Sequence, residues 1–157
     1  MHKGYTIIEL LIVTFIIGLL VALIAVALQG NLAKARDAKR LADLTQIQKA
    51  LALYYDTNGK YPPIELAKTG PENDGCGIDW CVLRDSLSVY LNPLPNDPLG
   101  LQEEYRYFYS SSSDDNYGLM VRFESDSNAN KVINDGGVHN DAATLEYYEV
   151  GSQTIYE

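Results

Sequence analysis

Between Leu10 and Leu28 the chain carries no charge, and only Thr14 and Gly18 weakly interrupt nineteen otherwise apolar positions. As a helix this run reaches about 28 Å, close to the roughly 30 Å hydrocarbon thickness of a bilayer. Fourteen of the nineteen are Leu, Ile, Val or Phe. At about −0.3 to −0.6 kcal/mol each they supply roughly −4 to −8 kcal/mol of insertion energy, against about 2.5 to 3.5 for an acid at the centre. Insertion wins, with Glu9 tolerated at the rim.

Helical periodicity continues past the run. Leu41, Leu44, Ile47, Leu51, Tyr54 and Tyr55 fall within about a 140° arc at 100° per residue, and Arg40, Asp43, Gln46 and Lys49 are expected mostly to face elsewhere. Proline is missing from Tyr5 to Asp56, and Asn58-Gly59 before Tyr61-Pro62-Pro63 is a strong stop. One helix of about 52 residues would reach roughly 78 Å, longer than a globular core needs. The rest reads as a small antiparallel sheet with one short helix. Trp80 to Leu91 is the expected helix. Tyr105 to Tyr109 and Tyr117 to Phe123 are expected strands joined by a Ser/Asp/Asn turn, with Leu145 to Val150 and Thr154 to Tyr156 as weaker ones. The fold class is α+β.

A length of 157 residues allows one compact domain, and 46% apolar residues exclude a disordered chain. Charge splits the chain: residues 1–68 hold 8 basic and 5 acidic groups, 69–157 hold 4 basic and 16 acidic. An acidic head repels phosphates, so unaided nucleic-acid binding is not expected. The apolar run has rival readings. A secretory signal would start at Lys3 and be cut near Ala25-Val26-Ala27, but its apolar region normally runs about 7 to 15 residues. A buried soluble helix would need more covering chain than the remaining run of about 130 residues, acidic on balance, provides. An ordinary single-pass anchor stays open.

Glu9 at the membrane edge asks for a partner. A cut after Gly4 would free the Tyr5 amine one turn before Glu9, at the i to i+4 spacing. Here Gly4-Tyr5-Thr6-Ile7-Ile8-Glu9-Leu10-Leu11-Ile12-Val13 resembles the cleavage and methylation motif of type IV pilins and type II secretion pseudopilins, and the continuation from Thr14 to Leu20 is similar to them as well. The resemblance implies a type IV pilin-like fold: a long N-terminal helix, membrane-spanning in its first half, packed on the sheet. It implies cleavage after Gly4, N-methylation of Tyr5 and an assembly role for Glu9. Residues 1–4 would be the leader, 5–29 the transmembrane and assembly half of the helix, 30–57 its amphipathic half, and 58–157 the head. Pro95 to Gly100 followed by Tyr105-Arg106-Tyr107 is more loosely similar to the major pseudopilin.

On that resemblance the chain is a structural subunit of a pilus or pseudopilus, bacterial, held in the inner (cytoplasmic) membrane by one span with its head outside. Its partners are further copies of itself, a prepilin peptidase, an assembly platform and an ATPase motor. The family usually has Phe or Met where Tyr5 stands, the leader is very short, and Val21 to Leu28 lacks the family's proline, leaving Gly30-Asn31 as a substitute hinge. Lys34, Arg36, Lys39 and Arg40 follow the span while only Lys3 precedes it, which by the positive-inside rule opposes the family orientation. The rival function is a membrane-tethered binding module that never polymerises.

Cys76 and Cys81, flanked by Gly75 and Gly77, are expected to form a disulfide in an exported head. Asp126, Asn128, Asn130 and Asp135 offer oxygen ligands for calcium, although Lys131 and the missing twelfth-position Glu break the EF-hand pattern. The resemblance adds weight, since major pseudopilins bind calcium in this region; a plain solvated turn is the alternative. No other cofactor is expected. Neither hydrolase nor phosphate-binding motifs occur, and no spacing selects His139 or Ser110 to Ser113 as catalytic, so no enzyme is expected. The tyrosines are read as strand and core residues.

Overall fold

One helix, α1 (Ile7–Asn58, 52 residues), forms the N-terminal third of the chain. In this computed structural model residues 5–70, 76–100, 102, 105–128, 131–132 and 147–151 are described. Thr6 caps the start of α1. Gly59 closes it in the left-handed region at φ 69°, its N–H donating to Tyr55 O at 2.7 Å, a conformation that a side chain would strain.

The two ends of α1 live in different surroundings. Ile7–Ile24 is long and apolar enough to cross a membrane, and none of it is buried by the head. From Asp37 onward one stripe is covered: Asp37, Arg40, Asp43, Leu44, Ile47, Ala50 and Leu51 are buried. The apolar members behave as their periodicity predicts. The expectation that Arg40 and Asp43 mostly face away from that stripe is corrected: helix angle puts Arg40 between Leu51 and Ile47 and Asp43 at the rim, and with carboxylates and a phenol from the head meeting them there they are 0% and 5% exposed.

The head lies against that stripe as a four-stranded sheet in the order β1-β2-β3-β4. The strands are β1 (Ala67–Lys68), β2 (Tyr107–Ser113), β3 (Asn116–Arg122) and β4 (Tyr147–Gly151), and every pairing is antiparallel. Alternation sorts their side chains. Tyr107, Tyr109, Leu119 and Val121 join Leu44, Ile47 and Leu51 of α1 in the main core, together with Trp80, Leu83 and Leu87 of a short helix, α2 (Trp80–Leu87). Phe108 and Met120 point the other way into a smaller cluster edged by Leu66 and Tyr147.

The sequence placed several boundaries differently. α2 stops at Leu87 rather than Leu91, because Leu87 O accepts from both Tyr90 N and Leu91 N at 2.9 Å, a turn that ends the helix. β2 starts two residues later than expected and takes in the serines. Ser110 Oγ donates to Glu65 O at 2.6 Å and Ser111 N to Ile64 O at 2.8 Å, so a segment that reads as turn is tied into the sheet edge. β1, only two residues long, has no periodicity to betray it. The expected strand at Thr154 to Tyr156 lies outside the described residues.

Cys76 and Cys81 are joined by a disulfide with Cα atoms 5.5 Å apart. Gly77 between them sits at φ 81°, where an added Cβ would lie 2.0 Å from Lys68 O. Only glycine allows that approach. The bridged loop delivers Trp80, 1% exposed, into the core.

Candidate functional site

At the start of α1 the sequence Thr6-Ile7-Ile8-Glu9 forms a capping box. Glu9 N donates to Thr6 Oγ1 at 3.3 Å, while Glu9 Oε2 accepts from Thr6 N at 2.8 Å and from Thr6 Oγ1 at 2.7 Å. The carboxylate is therefore held within its own chain, over the positive end of the helix dipole. Thr6 is a partner beyond those expected from the sequence, and the Thr-x-x-Glu spacing is its local signal. Tyr5 is 90% exposed immediately before the cap. Gly4 lies outside the described residues.

A second polar constellation joins the stalk of α1 to the head. Arg40 Nε donates to Asp97 Oδ2 at 2.6 Å and Nη2 to Asp97 Oδ1 at 3.0 Å, while Nη1 reaches Asp37 Oδ1 at 2.8 Å and Glu124 Oε1 at 2.6 Å. Arg36 Nε donates to Glu124 Oε1 at 2.8 Å. Tyr105 lies under Arg40, its ring centroid 4.9 Å from the guanidinium carbon. Asp37 in turn accepts from Glu124 N, Ser125 N and Asn128 Nδ2, each at 3.0 Å. Two cations of the helix thus clasp two loops of the head that are 57 and 84 positions from Arg40 in sequence.

Electrostatics follow from this burial. Arg40 loses solvation, but Asp97, Glu124 and Asp37 more than restore its preference for the charged form. Burial pushes the Glu124 carboxyl up, yet the bonds from Arg36 and Arg40 outweigh it and leave it below the ordinary glutamate value. Asp43 goes the other way: burial raises it, and the 2.8 Å bond from Tyr107 Oη only partly compensates. Tyr107 is itself pushed far up by burial and by Asp43.

The acidic loop is folded onto α1 by Asp37. Asp126 opens a short 3₁₀ turn, Asp126–Asn128, and the Asn128 amide nitrogen is engaged with Asp37. Asn130 and Asp135 lie outside the described residues. Among the described residues no three His, Cys, Asp or Glu side chains gather to hold a metal ion. Ser110 and Ser111 donate to main-chain carbonyls, and His139 lies outside the described residues.

A long helix that is apolar and uncovered over Ile7–Ile24 and carries a small antiparallel sheet on its second half defines a pilin-like protein. Comparison with known proteins narrows this. Type II secretion system core protein G of Escherichia coli is 37% identical over 103 residues, which cover 63% of this chain and 68% of the relative. The protein of the same name from Klebsiella pneumoniae is 36% identical over 108 residues, 63% of this chain and 70% of the relative. That from Pectobacterium carotovorum is 35% identical, with 63% of each chain covered. No family model matches the chain, and no solved structure does. The chain belongs to the family of type II secretion system core protein G.

Proposed function

We propose that this protein is a pseudopilin: a structural, non-enzymatic subunit of a type II secretion system that enters the membrane through α1, is cut after Gly4, is N-methylated on Tyr5, and polymerises through its N-terminal helix. The observation that carries this is the exposure of Ile7–Ile24, none of which the head covers. In a membrane, lipid tails cover that surface. In a filament only equivalent helices of other copies can do so. At about 25 cal/mol per Å² the burial is large, and the alternative is an apolar rod in water.

Charge supports the same account. After cleavage the Tyr5 amine of one copy supplies a cation for the Glu9 carboxylate of the next, and either charge alone would be costly in an apolar core. In the uncut chain Thr6 occupies Glu9, so the carboxylate has a partner both before and after assembly. The head stands outside the inner membrane, and the peptidase, platform and ATPase motor are separate proteins. Calcium is the ligand proposed for the acidic loop of Asp126, Asn128, Asn130 and Asp135. Equal melting curves for the folded head in calcium and in a calcium chelator would retire that part.

Mass and N-terminal analysis of native material tests the main reading. A chain starting at methylated Tyr5, recovered in sheared filaments, is expected, and Glu9→Ala should remove it from them. A solitary protein with residues 1–4 still attached would defeat the proposal.

A further inference from the structure

The surface of α1 beyond the span is divided by charge as well as by polarity. At 100° per residue, Asp37, Arg40, Asp43, Leu44, Ile47, Ala50 and Leu51 occupy one arc and are buried against the head. The opposite arc of about 140° holds Lys34, Ala35, Ala38, Lys39, Ala42, Thr45, Gln46 and Lys49, all exposed. The acids of α1 beyond Leu32 are Asp37 and Asp43, which face the head, and Asp56, which is exposed near the helix end. The head has therefore taken both acids that lie between Lys34 and Lys49, and both arginines. Three lysines are left there on the outer face. Among the described residues none of the three makes an ion pair, and Lys39 feels Asp43 only through space.

Distance separates the possible occupants of this face. Lys34 lies about 9 Å along the helix beyond Leu28, the end of the apolar run, Lys39 about 16 Å and Lys49 about 31 Å. A lipid surface acts over a Debye length of about 8 Å beyond its headgroups, so it reaches Lys34 but cannot account for Lys49. The complementary surface is present on this chain itself, whose residues 69–157 carry 16 acids against 4 bases. One exposed pair of acids is fixed along the helix axis. Tyr55 Oη donates to Asp115 Oδ1 at 2.7 Å, which holds the exposed tip of the β2–β3 hairpin, Asp114 and Asp115, level with the end of α1. Asp115 is spent on Tyr55, whereas the Asp114 carboxylate makes no hydrogen bond among the described residues.

Tyr55 is six positions, about 9 Å, beyond Lys49. A parallel copy shifted by that amount along the axis would bring its Lys49 level with the Asp114 tip. We infer that the Lys34–Lys39–Lys49 face of α1 is a docking stripe for the acidic head of a second copy, with Asp114 of one copy opposite Lys49 of the next. The alanines between the lysines let the neighbouring head approach closely. This inference rests on the polymer reading above and adds to it the contact that sets the stagger between heads.

A charge swap in the full-length chain tests it, with sheared filament as the readout and melting of the head as a check on folding. Lys49→Glu and Asp114→Lys should each lower filament recovery about tenfold, the equivalent of roughly 1.4 kcal/mol per contact, with an unchanged melt. The double variant Lys49→Glu/Asp114→Lys should return recovery close to the native level. Single variants that assemble like the native chain overturn the inference, as does a double variant no better than the worse single. Loss of binding to vesicles containing phosphatidylglycerol on Lys34→Glu, with assembly of Lys49→Glu intact, would assign the stripe to lipid and overturn it too. Glu9→Ala separates the two levels. If it abolishes filaments while the swap has no effect, the polymer reading stands and the stripe fails. If the native chain yields no filament, both fail.

Discussion

Arg40 on the helix and Asp97 on the head, 57 positions apart, meet as a two-pronged pair at 2.6 and 3.0 Å with both side chains fully buried. This contact turns a helix beside a sheet into one rigid unit. The same guanidinium holds Asp37 and Glu124, so one side chain ties both head loops to α1. A planar fork suits this duty and a single ammonium does not.

Arg40→Met should destabilise the head by about 3–5 kcal/mol, because Asp37 and Asp97 are left buried without their cation. Arg40→Lys should recover only part of the loss. Thermal or urea unfolding of detergent-solubilised protein measures both. A change under about 1 kcal/mol for Arg40→Met would show that the network is solvated and not structural.

Acid should weaken the head through Glu124. Its folded value lies below the ordinary glutamate value, so its contribution is full above about pH 4.3 and drains away as pH falls through the folded value. Asp43 has the opposite sign: its raised value opposes folding above about pH 3.9, and that penalty is relieved as pH falls through its own folded value. Unfolding between pH 3 and 6 should therefore be flatter in Glu124→Gln and steeper in Asp43→Asn. Parallel curves for all three proteins would contradict the assignment.

Reduction of the Cys76–Cys81 bridge should lower stability by about 2 kcal/mol, the chain-entropy value for a six-residue loop. Cys76→Ser/Cys81→Ser should match the reduced protein, and the loss should show in near-ultraviolet circular dichroism because Trp80 adjoins Cys81. Equal melts with and without reductant would show that the loop is held by Gly77 and its main-chain bonds alone.

Thr6→Val removes the hydroxyl that Glu9 both donates to and accepts from, and should cost the helix start about 1 kcal/mol. Thr6→Ser should behave as the native chain. Filament recovery, measured beside Glu9→Ala, reads the effect. Recovery that is equal for Val, Ser and native Thr would reduce the capping box to a local helix feature.

Local sequence is enough to specify the long helix, its apolar first half, its stop at Asn58-Gly59 and the disulfide loop. These depend on neighbours: a run of side chains, a spacing of 3.6, a glycine where the backbone turns left-handed. Thr6 is legible for the same reason, through the Thr-x-x-Glu spacing. Tertiary structure alone decided what the charges do. Helix angle puts Arg40 inside the apolar arc and Asp43 at its rim, but what makes their burial tolerable is not legible there, because Asp97, Glu124 and Tyr107 stand 57 or more positions from the residue each one binds. It also decided that β2 would run on into the serines, since Ser110 and Ser111 find their acceptors, Glu65 and Ile64, in the connection ahead of β1. Periodicity reports the side a residue favours on average, whereas a buried charge follows its counter-ion, and only folding brings that counter-ion into reach.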